Sequence, residues 1–414
     1  MVETYRELSI PRQPEMNIGT AGHVDHGKTS IIQALTGIWT AVHSEELRRG
    51  ITIKIGYADM PIYRFSDGES EIYWSRPYID GQHGELVRVL SFIDCPGHES
   101  LMANMLSGAA VMDGAMLVIA ANEPVPRPQT KEHATALELL GVDDVVVVQN
   151  KIDLVSKKEA YENYEAIKEF LSTTRFADAP IIPISSIHHV NLHYLVEALY
   201  KYIPKPDKDP SKPLLMYVIR SFDVNRPGTS YKEIVGGILG GAILEGMIKV
   251  GDEIEVSPGY IYKEGGRIRN QPLYAEVLSL NSGKLDLKEA SPGGLIGVQT
   301  DLDPSLTKSD GMVGNIVGRP GTLPDVLYEV TLDVRLFKYV VGTNETIMVR
   351  PIQRGEAYRL NIGPATTLGI AIDVRGESVT FRLSRPVIAD DGWKSAIAAR
   401  YDNKWRLVGV GEVV

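Results

Sequence analysis

Gly22-His23-Val24-Asp25-His26-Gly27-Lys28-Thr29 sets two glycines with four residues between them and follows them with a lysine and a hydroxyl. The spacing is that of a phosphate-binding loop. Glycine is needed because backbone amides must wrap closely around phosphate oxygens. Lys28 then stands beside the β- and γ-phosphates as a point charge that stabilises phosphoryl transfer, and the Thr29 hydroxyl is placed to ligate Mg²⁺. A short apolar run precedes the loop and Ile31-Ile32-Gln33-Ala34-Leu35 follows it, so strand, loop and helix succeed one another as this chemistry requires. Alone, the pattern is also what a glycine-rich turn capping a helix would show.

Further segments point the same way. Asp94-Cys95-Pro96-Gly97-His98 follows the apolar run 89–93. Asp94 at a strand end can hold Mg²⁺ through water, and Gly97 can offer its amide to the γ-phosphate, as a switch segment does. His98 could orient the attacking water, which makes it with Lys28 a catalytic candidate, or it could merely close the pocket. Asn150-Lys151-Ile152-Asp153 follows another apolar run. The Asp153 carboxylate can accept both ring-edge N–H donors of guanine, which adenine lacks, so the expected ligand is GTP or GDP. Ser185-Ser186-Ile187 could supply a backbone amide to the guanine carbonyl oxygen. Thr52 lies between the loop and Asp94 and either completes the Mg²⁺ shell or is an ordinary strand threonine. His23, His26, His43 and His133 read as structural or supporting residues, and Cys95 as a small buried side chain.

The elements that must position these residues are legible as well. Apolar runs at 16–19, 87–93, 115–120, 145–149 and 181–184 predict strands, and 28–35, 130–140 and 157–171 predict helices. Their alternation predicts a mainly parallel sheet with helices on both faces, with the ligand groups at the carboxyl ends of the strands. Ile203-Pro204-Lys205-Pro206-Asp207-Lys208-Asp209-Pro210-Ser211-Lys212-Pro213 reads as an extended linker. Beyond it, short strands punctuated by Val250-Gly251-Asp252-Glu253, Ser257-Pro258-Gly259, Gly265-Gly266 and Asn281-Ser282-Gly283 predict two β-barrels with a break near Arg319-Pro320-Gly321. The expected domains are 1–208, 209–325 and 326–414. The net charge of −10 disfavours nonspecific DNA binding, although residues 326–414 carry 12 basic against 10 acidic side chains. One cysteine excludes an internal disulfide framework, and no apolar run has membrane-spanning length. No secretory leader opens the sequence, so a cytoplasmic protein without a membrane partner is expected.

These motifs, with two following barrels, resemble the translational GTPases typified by elongation factor Tu. His43-Ser44-Glu45-Glu46-Leu47-Arg48-Arg49-Gly50-Ile51-Thr52-Ile53-Lys54, Arg220-Ser221-Phe222-Asp223-Val224-Asn225 and Leu302-Asp303-Pro304-Ser305-Leu306-Thr307-Lys308 further resemble the γ subunit of translation initiation factor 2, in its archaeal form. The resemblance implies a GTP-dependent carrier of methionylated initiator tRNA to the small ribosomal subunit. It also implies a heterotrimer, with an α subunit on the second domain and a β subunit on the GTPase domain. The nucleotide site it implies is Asp25, His26, Gly27, Lys28, Thr29, Ser30, Asn150, Lys151, Asp153, Ser185, Ser186 and Ile187. Magnesium falls to Thr29 and Thr52, with Asp25 and Gly50 as contacts of a second ion. Many archaeal relatives carry two Cys-x-x-Cys pairs before the Asp-x-Pro-Gly strand. Here that stretch has no cysteine and alternates apolar and polar residues around Asp67-Gly68, so a metal-free hairpin and no zinc are expected. The competing expectations are an elongation-type or selenocysteine-specific tRNA carrier, and a GTP-regulated assembly scaffold.

Overall fold

The computed structural model describes residues 8–40, 55–66, 68, 70–96, 102–226, 228–230, 232–341 and 347–414, with the side chains of 102–104 and 107 excepted. Gly50, Thr52, Gly97 and His98, and with them His43, the first expected switch segment and the part of the second beyond Pro96, lie outside the described residues. The chain divides into two units, Met1–Pro206 and Asp207–Val414.

In the first unit the described elements are β1 (Met16–Ala21), α1 (Lys28–Thr36), β2 (Gly56–Ser66), β3 (Glu71–Trp74), β4 (Glu85–Asp94), α2 (Met102–Ala109), β5 (Gly114–Ala120), α3 (Pro128–Leu140), β6 (Val145–Asn150), α4 (Lys157–Leu171), β7 (Ile181–Pro183) and α5 (Leu192–Tyr202). Seven strands form one sheet in the order β3-β2-β4-β1-β5-β6-β7. The run from β4 to β7 is parallel, and β2 and β3 add antiparallel strands at one edge. Alternation divides the buried residues between two faces. Met16, Ile18, Met116, Val118, Val146 and Val148 pack with Ile31 and Ile32 of α1 and Leu195 and Leu199 of α5. The intervening Leu117, Ile119 and Val147 are equally buried and face the side on which α3 packs against β5. The apolar spacing predicts α3 from Thr130, but the helix begins at Pro128, in the first turn, where a missing N–H costs nothing. The hairpin expected around Gly68 is present, with Ser66 opposite Glu71 and Tyr63 opposite Trp74.

The second unit holds two closed β-structures. Strands Glu253–Glu264, Ile316–Gly318, Leu215–Phe222, Ile238–Glu245, Ile296–Thr300 and Arg267–Ser282 pair in that order, and the last pairs back to the first. Strands Val326–Leu336, Ser378–Ile388, Ala365–Arg375, Ala357–Ile362, Lys394–Tyr401 and Lys404–Val413 close the second barrel. One expectation fails here. Ser257-Pro258-Gly259 is not a turn between strands but lies inside Glu253–Glu264, at a register shift between Val256 and Tyr260. Gly259 takes φ 80 there, so proline and glycine serve a bulge rather than a chain reversal. No described helix is long and apolar enough to cross a membrane.

Asp59 on β2 sits opposite Ser91 and is 4% exposed, and burial pushes its carboxyl up to about 6. A folded-state pKa above the unfolded value makes stability fall as pH rises from about 4 to about 6, then level off. Asp59→Asn should therefore stabilise the first unit by about 1–3 kcal/mol at pH 7. In thermal unfolding followed across pH, that gain should shrink to nothing near pH 4.

Candidate nucleotide site

The loop between β1 and α1 reverses through three residues of positive φ: Gly22 at 127, Asp25 at 64 and Gly27 at 92. Glycine is obligatory at two of them for space as well as torsion. A Cβ on Gly22 would lie 2.3 Å from the Val118 carbonyl oxygen, and one on Gly27 would lie 2.4 Å from Nδ2 of Asn150. The Lys28 ammonium is turned back over this loop, donating to the carbonyls of Gly22 at 3.0 Å and His23 at 2.9 Å, with no third acceptor among the described residues. Burial lowers its pKa to about 8, against the opposing pull of Asp94. Such a cation is poorly solvated and suits an anion that brings its own charge.

The loop is clamped from behind by groups of three other elements, two side chains and one backbone carbonyl. His133 of α3 accepts the Gly22 N–H on Nδ1 at 2.9 Å. Burial drives the His133 pKa down to about 3, so the ring is neutral and can accept. His26 turns inward, its Nδ1 bonding the Val118 carbonyl at 3.0 Å. A carbonyl only accepts, so this nitrogen carries the proton. Its Nε2 lies 3.4 Å from Glu123, whose carboxylate also receives Nε of Arg127 at 2.9 Å. The His26 side chain thus belongs to the fold, leaving its backbone on the loop surface. Asn150 donates to the His26 carbonyl at 3.0 Å and accepts the Ser186 N–H at 3.2 Å. That one side chain ties the phosphate loop to the 184–186 loop.

Asp94 is fully buried and accepts three hydroxyls: Thr20 at 3.1 Å, Thr29 at 2.7 Å and Thr40 at 2.6 Å. Thr29 and Asp94, paired by motif, are therefore in contact. Ser185 exchanges backbone bonds with Val190, and its hydroxyl accepts the His188 N–H at 3.2 Å. Lys151 stands at φ 63, and the Ile152 N–H reaches the Ile184 carbonyl, which sets the Asp153 turn beside this loop. Asp153 Oδ2 is 3.9 Å from His188 Nε2, and Ile187 is exposed. Cys95 is buried as expected, its thiol pKa pushed upward by burial.

Motif reading assigns no role to Thr20, Thr40 or Glu123, and reads His133 as structural or supporting, the latter being what its bond to Gly22 makes it. Thr20 and Thr40 carry no local signal, because each meets Asp94 only when the sheet forms, and Glu123, although Arg127 lies four residues on, meets His26 only in the folded unit. If His133 supports the loop through its acceptor, His133→Leu leaves the Gly22 N–H without a partner, a cost of about 1–3 kcal/mol. GTP should then bind roughly tenfold or more weakly in a fluorescent-nucleotide titration. His133→Asn, which can present an oxygen near the Nδ1 position, should recover most of that loss.

Residues 13–205 match the family model described as elongation factor Tu GTP binding domain, and residues 328–413 match initiation factor eIF2 gamma, C terminal. The chain is 53% identical over 401 residues to translation initiation factor 2 subunit gamma of Pyrococcus horikoshii, covering 97% of each. It is 52% identical over 404 residues to the same subunit of Methanocaldococcus jannaschii, covering 97% of this chain and 98% of that one. Among solved structures it superposes on a bacterial selenocysteine-specific elongation factor, EF-Sec, with TM-score 0.73 at 24% identity, over 97% of this chain and 58% of that one. Elongation factor SelB of Methanococcus maripaludis, solved with a GTP analogue, gives TM-score 0.70 at 21% identity, covering 98% and 80%. A phosphate loop clamped at the carboxyl edge of a parallel sheet, two barrels beyond it and this near-full-length identity make the chain a member of the translation initiation factor 2 gamma subunit family of GTPases.

Proposed function

We propose that this chain carries methionylated initiator tRNA to the small ribosomal subunit in its GTP state and ends the carrier state by hydrolysing GTP. The observation that supports this most is that identity to initiation factor 2 gamma subunits runs through the barrels as well as the GTPase unit, over 97% of the chain. The selenocysteine-type factors share the fold at 21–24% identity, which carries no tRNA preference across. The functional domains are 1–208, 209–325 and 326–414, with the α subunit on the second and the β subunit on the first, in the cytoplasm.

In this reading the backbone amides of Asp25, His26, Gly27, Thr29 and Ser30 cradle the phosphates, and Lys28 gives its remaining N–H donor to the β/γ oxygens. Asp153 accepts the two guanine N–H donors, Asn150 and Lys151 shape that pocket, and Ser185, Ser186 and Ile187 close it. Mg²⁺ suits the oxygen donors at Thr29 and Asp94, with Thr52 completing the shell and Asp25 and Gly50 beside a second ion. When bound, that ion neutralises charge on the β- and γ-phosphate oxygens. Gly97 donates its amide to the γ-phosphate, and His98 orients the attacking water.

Three measurements test the reading. In filter binding with the α subunit present, methionylated initiator tRNA should bind in the GTP-analogue state far better than in the GDP state, and better than methionylated elongator tRNA. Equal binding of the two tRNAs would indicate an elongation-type carrier, and none would indicate a scaffold. His98→Ala should lower ribosome-dependent GTP turnover with nucleotide affinity retained, and unchanged turnover would remove His98 from the chemistry. Asp153→Asn should weaken GTP by about a hundredfold or more and improve xanthosine triphosphate, whose ring edge offers a carbonyl in place of an amine.

A further inference from the structure

Beyond Gly259 the paired strands Glu253–Glu264 and Arg267–Ser282 run out as a two-stranded ribbon turning at Gly265-Gly266. The register puts Tyr260 opposite Gln271, Tyr262 opposite Arg269 and Glu264 opposite Arg267, so these six share one face. Ile261, Lys263, Ile268 and Asn270 share the other. The two faces differ in what they meet. Ile261, Ile268 and Asn270 are half-buried, and Asn270 is fastened at both ends of its amide, donating to the Pro258 carbonyl at 2.9 Å and accepting the Tyr328 hydroxyl at 2.6 Å. Every residue of the first face is exposed, with Tyr260 at 48% and Tyr262 at 36%. Their rings lie nearly parallel, 15° apart in plane with centroids 6.1 Å apart. Residues 258–272 carry Lys263, Arg267 and Arg269 against one acid, Glu264, in a chain of net charge −10.

We infer that this ribbon face is a binding platform for single-stranded RNA, with bases stacking on Tyr260 and Tyr262 and phosphates meeting Arg267 and Arg269. Rings of this kind offer a π-face that any base can use, and the guanidinium groups supply the phosphate attraction. Tyrosine and arginine also serve protein interfaces, so the choice of RNA rests on the paired rings and on three basic residues against one acid, with Glu264 3.7 Å from Arg269. The inner face holds the ribbon in place, so the platform is preformed. The platform does not depend on the tRNA-carrier reading.

The test is fluorescence anisotropy of the full-length chain with an unstructured RNA of about 12 nucleotides, coupled to 4-thiouridine cross-linking mapped by mass spectrometry. Cross-links should fall on Tyr260 and Tyr262. The double variant Tyr260→Ala/Tyr262→Ala should bind roughly tenfold or more weakly, and Tyr260→Phe/Tyr262→Phe should bind as wild type does. Arg267→Ala/Arg269→Ala should reduce the slope of log affinity against log salt by about 1 to 2. GTP affinity and melting temperature should be unchanged in all three. Wild-type RNA binding by the alanine pair, or a phenylalanine pair as weak as the alanine pair, would overturn the inference. So would capture of a purified protein subunit through the same tyrosines with RNA binding left intact.

Discussion

Burial of the Lys28 ammonium against carbonyls of its own loop is the constraint around which the GTPase unit is arranged. A cation so held needs its loop to curl back on itself, and the curl needs left-handed backbone at Gly22, Asp25 and Gly27. A loop in that shape exposes amides outward and cannot stabilise itself from within. Its support comes from β5 through Val118, from α3 through His133 and from β6 through Asn150. The buttresses bond the Gly22 N–H, the His26 ring and the His26 carbonyl, and none of these bonds uses a backbone amide between Val24 and Thr29. Packing the three histidine rings His23, His26 and His133 near a cation is unfavourable if any is charged, and burial keeps all three pKa values low.

The parts legible in the sequence are those whose chemistry is local. Gly27-Lys28-Thr29 and Asn150-Lys151-Ile152-Asp153 are readable because the ligand demands consecutive residues, and the strands before them because buried parallel strands are unbroken apolar runs. The supports are not readable in this way. Thr20 and Thr40 meet Asp94 across 74 and 54 residues, and His133 meets Gly22 across 111. Only the order of strands in the sheet brings these positions together, and no spacing rule encodes it. The reading of Ser257-Pro258-Gly259 failed for a related reason. Turn-forming residues report a local backbone conformation, and a bulge uses that conformation without reversing the chain.

The hairpin of β2 and β3 shows the same division between local and tertiary information. Alternation around Gly68 is enough to foresee it, but its anchorage is tertiary. Tyr73 stacks on Tyr200 of α5 with centroids 4.7 Å apart and donates its hydroxyl to Glu71. Arg64 reaches Glu85 at 2.6 Å on β4, a pair exposed enough to contribute little beyond orientation. Apolar packing of Phe65 and Tyr73, both nearly buried, therefore holds this edge of the sheet.

Strand β4 joins these arrangements and limits how the unit can move. At one end Asp94 holds three buried hydroxyls. Nearer its start, half-buried Arg88 donates to the carbonyls of Tyr200 at 3.1 Å and Ile203 at 2.7 Å, satisfying the end of α5 where the chain leaves for the proline-rich linker. Shifting the strand would break buried hydrogen bonds at both places, and its flanking pairings with β1 and β2 would have to move with it. A nucleotide signal therefore cannot travel by sliding β4.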